Sequence, residues 1–260
     1  MVPNMKRNEL FKTYLNVAVK EGMLNSKGNL AFYLSYLFRG IFFAGRSMID
    51  IGGGSGLYSF YAAIMGAKHV VCLEPEMEGS TKGTLEKFKQ LSASLSLNNV
   101  SLQPIRFQEF DAGDQTFDII LLHDSINHLD EEACIKLQHD DDARKRYRLV
   151  FEKLSKIAAP GAKLVITDCS RNNLFASMGI RNPFAPAIEW HKHQSPRFWS
   201  NMLSDYGFTN PKIRWTTFSF LRKIGRLLLG NRVASYFLTS NFCLTMDRSS
   251  ARGFTCTTAA

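Results

Sequence analysis

A short apolar run, Ser47-Met48-Ile49-Asp50-Ile51, breaks into Gly52-Gly53-Gly54-Ser55-Gly56 and then resumes as a helical pattern that reaches Met65. No other stretch of the sequence restricts the fold so strongly. Glycine adopts positive φ freely, and without a Cβ it lets other groups approach the backbone. A strand that turns through such a loop directly into a helix opens a crossover unit, and crossovers connect parallel strands.

The pattern then repeats. A second buried strand, HVVCL over 69–73, ends in Glu74-Pro75, and a polar helix is expected over 78–95. Further strands are expected over 100–107 and over 117–122, the latter opening with Phe117-Asp118. A long charged helix over 131–158 is stopped by Pro160-Gly161, and a fifth strand follows over 162–167. Near-continuous apolar strands that alternate with helices predict an α/β, doubly wound, mostly parallel sheet covered on both faces. Two helices, over 5–22 and 29–43, precede it. Beyond it come an aperiodic stretch over 170–196, a helix over 195–206, a strand over 211–215, an amphipathic helix over 218–238 and a strand over 240–246. The expected organisation is N-terminal helices over 1–45, a main domain over 46–248 with insertions at 170–196 and 216–239, and a disordered tail over 249–260.

In a doubly wound sheet, Glu74 faces the ligand crevice, where a carboxylate can accept hydrogen bonds from both hydroxyls of a ribose. A dinucleotide site requires G-x-G-x-x-G. Counted from Gly52, the third glycine position holds Leu57; counted from Gly54, it holds Ser59. The spacing present is D-x-G-x-G-x-G, carried by Asp50, Gly52, Gly54 and Gly56. That motif, with Glu74, Phe117-Asp118 and Pro160-Gly161, resembles the class I methyltransferases that use S-adenosylmethionine (SAM) and release S-adenosylhomocysteine. The resemblance covers residues 46–170 and implies a seven-stranded sheet whose last strand is antiparallel. It also implies that Gly52, Gly53, Gly54 and Gly56 lie against the methionine part of SAM, that Asp50 orients it, and that Glu74 and Pro75 flank the ribose. Gln108, Glu109 and Phe110 occupy the stretch expected near the adenine, and His123 stands on the cofactor side or serves as a base.

The acceptor is expected at the carboxyl ends of strands four and five. There the sequence reads His123-Asp124-Ser125-Ile126-Asn127-His128, similar to the corresponding segment of small-molecule methyltransferases. Histidine exchanges protons near neutrality, so His123, His128 and His191 are candidate catalytic residues. Tyr14, Tyr33, Asp124, Asn127, Trp190 and His193 are candidates for substrate contact, with 170–196 as a substrate lid. No N-P-P-Y follows strand four, and Asn182-Pro183-Phe184 lies after strand five, which disfavours amino-group methylation of nucleic acid or protein amides. Asp124 and Asp168 exist, but Cys169 follows Asp168 where metal-dependent relatives carry Asn, so no metal is expected.

The formal charge of +9 is uneven: nine Lys or Arg lie between Arg197 and Arg252, against Asp205 and Asp247. A small-molecule acceptor is the leading expectation. RNA or a lipid head group reached through the basic 218–238 helix, or SAM binding without catalysis, are the alternatives. No apolar run long enough to span a bilayer occurs, and the opening MVPNMKRNEL lacks the apolar core of a secretory signal. The five scattered cysteines form no C-x-x-C pair. A cytoplasmic protein, monomeric or homodimeric, is the expectation.

Overall fold

The computed structural model describes residues 4–76, 83–216 and 218–250. Helices α1 (Asn4–Lys20) and α2 (Lys27–Leu37) precede the sheet. The alternating part comprises β1 (Ser47–Ile51), α3 (Leu57–Ile64), β2 (His69–Leu73), α4 (Thr84–Leu95), β3 (Val100–Gln103), β4 (Phe117–His123), α5 (Glu131–Lys136), α6 (Asp141–Ile157) and β5 (Ala158–Cys169). The remainder is α7 (Leu174–Ser177), α8 (Pro196–Ser204), β6 (Phe208–Trp215), α9 (Arg222–Leu229), α10 (Arg232–Phe237) and β7 (Asn241–Arg248).

These strands form a single seven-stranded sheet in the order β3-β2-β1-β4-β5-β7-β6. β7 runs antiparallel to both β5 and β6, and every other pairing is parallel. The order reverses between β1 and β4, which opens the crevice above their carboxyl ends. β1 is buried along its whole length. One core cluster on one face joins β4 and β5 to α6 and α8 through Phe117, Tyr147, Phe151 and Trp199. The other joins β1 and β2 to α1–α4 through Tyr14, Leu34, Phe60 and Phe88. Asp118, the second residue of β4, accepts from Ser47 N–H at 2.8 Å and so fixes where β1 and β4 begin to pair.

Three expected elements divide. The charged helix over 131–158 is two helices, because the Asp140 side chain accepts from Asp142 N–H at 2.8 Å and starts a new one. The 218–238 helix is a short 3₁₀ turn followed by α9 and α10, the last capped by Asn231 accepting from Ala234 N–H at 2.9 Å. The third strand stops at Gln103 because Pro104 follows. Conversely, β5 starts four residues earlier than expected and runs through Pro160-Gly161 with an irregularity between Phe117 and Ile119. Of the expected tail, residues 251–260 lie outside the described residues, as do 78–82 of the expected polar helix. Among the described residues no helix is long and apolar enough to cross a membrane.

The N-terminal helices are fastened to the far edge of the sheet by Arg214 of β6. Its Nη1 donates to Tyr36 O at 2.8 Å and its Nη2 to Leu37 O at 2.9 Å, which satisfies carbonyls at the end of α2. Its guanidinium also lies 5.0 Å from the Tyr36 ring centroid. Arg214→Met keeps the stem and removes the donors, so it should lower stability by about 2 kcal/mol. The shift in urea midpoint at unchanged slope measures this.

Candidate active site

The crevice is built around the turn that follows β1. Gly52 has φ +72°, and a Cβ there would come within 2.6 Å of Ser125 Cβ in the loop after β4. Ser125 in turn donates its hydroxyl to Ile51 O at 2.6 Å. Gly53 lies over Asp50 and Cys72, where a Cβ would meet Cys72 Sγ at 2.5 Å. Glu74, at the exit of β2, accepts from Gly54 N–H at 2.8 Å through Oε2 and from Glu76 N–H at 3.0 Å through Oε1, with Pro75 between them. Gly56 (φ +73°) closes the turn against Phe88 and begins α3.

Beneath the turn Asp50 is fully buried. Its Oδ2 accepts from Ser59 Oγ at 2.7 Å, while Oδ1 has no partner among the described residues. Burial pushes its carboxyl up to about 7 from 3.8, with the nearby Glu74 adding to the rise and the Ser59 bond opposing it. An orphaned carboxylate oxygen under a backbone cradle that excludes side chains suits a cationic ligand, and SAM carries both a sulfonium and an ammonium. The residues therefore fit the cofactor that the sequence motif implies.

The three residues of the stretch expected near adenine each have partners within the chain. Phe110 is a core residue packed on Phe117, because turn bonds from Glu109 and Phe110 N–H to Arg106 O roll it inward. The exposed Gln108 side chain donates to Leu129 O, and Glu109 accepts from Arg106 N–H at 3.3 Å. Tyr14 likewise leaves the candidate substrate residues. It is fully buried, and its hydroxyl donates to Leu57 O at 2.9 Å, which pins α1 to the start of α3.

The ends of β4 and β5 bring the remaining candidates together. His123 Nε2 lies 2.7 Å from Tyr33 Oη and 2.9 Å from Tyr58 Oη, and its ring stacks on Tyr58 with centroids 4.2 Å apart. Desolvation holds both tyrosine hydroxyls far above their ordinary range, so they remain protonated. His123 Nδ1 is 3.3 Å from Asp124 Oδ2. Asp124 has φ +51°, and its Oδ1 accepts from Thr167 Oγ1 at 3.2 Å. One residue further along β5, buried Asp168 meets His193 Nδ1 at 2.7 Å. Asn127 is buried with its Oδ1 unpartnered among the described residues. His128 is exposed and pairs with Glu131 at 3.1 Å, outside this group.

Asp168, Cys169 and His193 each offer one atom of a metal-ligating type within 4.8 Å of the others. Burial raises the Cys169 thiol far above its ordinary value, so a thiolate is disfavoured, and the carboxylate and imidazole are already bonded to each other. Sequence reasoning named His193 without its partner, and it missed Tyr58. The signal for Asp168 was its place at the end of β5, beside Asp124 at the end of β4.

The aperiodic 170–196 stretch covers a cavity of about 1170 Å³ on the β5–β6 side of the crevice. Trp190, Trp215 and Tyr236 supply flat walls, and Arg171, Arg197 and Arg232 supply positive charge, with His191 also at its surface. Asn173 and Asn182 hold this cover down: their side-chain amides donate to Leu238 O at 3.0 and 2.6 Å. Trp190 and His191 thus lie with the cavity, apart from the His123–Asp124 group.

A family model described as a methyltransferase domain matches residues 27–212. The chain is 27% identical to 8-hydroxyquercetin 8-O-methyltransferase of Mentha piperita over 208 residues, 76% of this chain and 50% of that protein, so it spans about half the length of this relative. Among solved structures, it is similar to a SAM-dependent methyltransferase from Listeria monocytogenes with TM-score 0.57, at 10% identity over 86% of this chain and 100% of the other. One from Mesorhizobium loti gives TM-score 0.56, at 13% identity over 83% and 96%. At these identities the structural likeness speaks for the fold.

The buried Asp50 sets a stability cost with a definite pH dependence. Its folded value of about 7 lies above the unfolded 3.8. The cost is therefore absent below the unfolded value, grows as pH rises between the two, and is complete above the folded one. Asp50→Asn should raise the stability of the ligand-free protein by a few kcal/mol at about pH 8, and the gain should vanish near pH 4. Thermal unfolding of both forms across that range checks the sign.

Proposed function

We propose that the chain, which belongs to the methyltransferase-domain family, is a SAM-dependent methyltransferase that methylates an O, N or S atom of a small molecule held in the cavity lined by 170–196. The observation that carries this reading is a buried carboxylate–imidazole pair, Asp168–His193 at 2.7 Å, at the end of β5, with Ser170, two residues on, lining the cavity. When bound, SAM supplies a methyl group activated by its sulfonium.

The chain's own residues then have three tasks. The glycine turn and Glu74 hold the nucleoside: the Glu74 carboxylate, now bonded to Gly54 N–H, is the group placed to accept from ribose hydroxyls. His123 positions the crevice wall, since both of its ring nitrogens have partners, in Tyr33 with Tyr58 and in Asp124. His193 is the base for an acceptor that carries a proton. Asp168 takes its Nδ1–H, which fixes the tautomer and leaves Nε2 without a partner among the described residues. His128 and His191, exposed and away from that pair, are poorer candidates.

The aromatic walls and three arginines of the cavity favour a flat acceptor bearing an acidic group. The activity named for the mint relative, O-methylation of 8-hydroxyquercetin, supports a hydroxyl on an aromatic ring. Calorimetry should show Glu74→Ala weakening SAM by about 1–3 kcal/mol; an unchanged affinity would remove the ribose assignment. With a panel of phenols, with and without carboxylates, His193→Gln should lower kcat by roughly a hundredfold or more at unchanged SAM affinity. If only His123→Gln or His191→Gln did so, the base would have to be reassigned.

A further inference from the structure

Helix α9 presents its apolar side to solvent. Arg222 and Arg226, one turn apart, reach back to α2: the exposed Arg222 donates through Nε to Asn29 Oδ1 at 3.1 Å, and the half-buried Arg226 guanidinium lies 5.1 Å from the Tyr36 ring centroid. The tip of Arg222 lies against Gly28, where a Cβ would come within 2.5 Å of its Nη2. Gly225, on the same side, is buried. The opposite face presents Ile224, Leu227 and Leu228 to solvent at 71%, 84% and 64% exposure, with Lys223 beside them. Arg222 holds φ +46° at the start of the helix, a conformation that L residues disfavour, so this orientation is kept despite local strain.

The apolar surface continues on either side. Phe220 is exposed and stacks on Phe218 at 5.5 Å, and Phe218 in turn lies 5.9 Å from exposed Phe184 of the cavity cover. On α10, Val233 and Phe237 are exposed one turn apart. Exposed apolar side chains gathered on three successive elements mark an interaction surface rather than ordinary solvent-facing scatter. From Tyr206 to Met246 the sequence contains no Asp or Glu, while it contains Lys212, Arg214, Arg222, Lys223, Arg226 and Arg232. Of these, Arg222, Lys223 and Arg232 are exposed on the segment that carries α9 and α10, and an apolar face flanked by exposed cations is complementary to one partner above others: a bilayer with anionic head groups, which takes the apolar side chains below its surface and the cations at it.

We propose that α9, with Phe220 and the exposed face of α10, docks this protein peripherally on an anionic membrane. A second copy is disfavoured as the cover, because a two-fold contact through this face would bring the exposed Arg222, Lys223 and Arg232 of both copies together. A nucleic acid would satisfy the cations but leave Ile224, Leu227 and Leu228 in water. The docking stands whatever acceptor the cavity takes. It also places a mouth of the cavity, where Arg232 and Val233 line the wall, beside the lipid.

The test is flotation of the full chain with vesicles of phosphatidylcholine alone and of phosphatidylcholine mixed with phosphatidylserine. The wild type should float with the mixed vesicles only. The pair Ile224→Asp with Leu227→Asp should lower the bound fraction roughly tenfold or more. Lys223→Glu should weaken binding chiefly at low salt. SAM affinity and urea midpoint should be unchanged in all three, which separates lost docking from lost folding and from any failure of the methyl-transfer reading. Four results would each overturn the proposal: no flotation of the wild type with mixed vesicles, flotation undiminished in the double variant, a wild-type dimer that the double variant dissociates, or salt-sensitive RNA binding without vesicle binding.

Discussion

Everything at the crevice depends on how closely three chain segments converge on the backbone of Gly52 to Gly54. Ser125 reaches over from β4 to the carbonyl of Ile51, Glu74 reaches across from β2 to the amide of Gly54, and Asp50 with Cys72 lies below Gly53. The clearances of 2.6 and 2.5 Å at the missing Cβ positions of Gly52 and Gly53 leave no room for any other residue. Because Ser125 is fixed there, Asp124 and His123, just before it, are fixed too. The glycine turn thus also sets where His123 and Asp124 stand.

The electrostatics of the turn follow from that closeness. A carboxyl group pushed up to about 7 by burial is a poor structural element in the ligand-free chain. Its hydroxyl partner, Ser59, satisfies one oxygen, and the other is left without a bond among the described residues. Such a group becomes favourable when a cation is brought beside it. Stability of the empty protein and affinity for a cationic ligand are therefore set against each other at one residue. The Asp168–His193 pair differs in having an imidazole partner within the chain: His193 Nδ1 and Cys169 N–H both meet Asp168 Oδ1, while Asp168 Oδ2, like Asp50 Oδ1, has no partner among the described residues.

What the sequence made legible was whatever depends on local pattern. The strands of the parallel part, the glycine turn and the acid that ends β2 are readable from short spacings and apolar runs, whereas the antiparallel last strand came only with the family resemblance. Helix divisions were not, because Asp140 and Asn231 act as caps only once the chain bends there, and both sit inside patterns that continue on either side. Long-range partners were hidden altogether. Tyr14 reads as one more aromatic on an amphipathic helix until its hydroxyl is found on Leu57, 43 residues away. His193 and Asp168, 25 residues apart and across an aperiodic stretch, have no spacing rule that would pair them. Phe110 was misplaced for the converse reason: the turn bonds to Arg106 O that bury it are backbone events with little side-chain signature.

The cover over the cavity and the cationic apolar face are mechanically joined. Asn173 and Asn182 both donate to Leu238 O, and Asn173 also donates to Ser240 Oγ at 2.9 Å, so residues 173–182 are stitched to the chain that leaves α10 for β7. α9 is anchored at its other end on α2 through Arg222 and Arg226, and α2 carries Tyr33, whose hydroxyl reaches His123. α9 is thus linked to the wall of the crevice through α2, and the chain that leaves α10 is linked to the segment beside the cavity through Leu238. Buried amides with their partners in place resist being pulled apart, since each lost bond leaves a polar group stranded. That stiffness argues for cover, cavity mouth and outer face acting together, rather than for a loose flap over a rigid sheet.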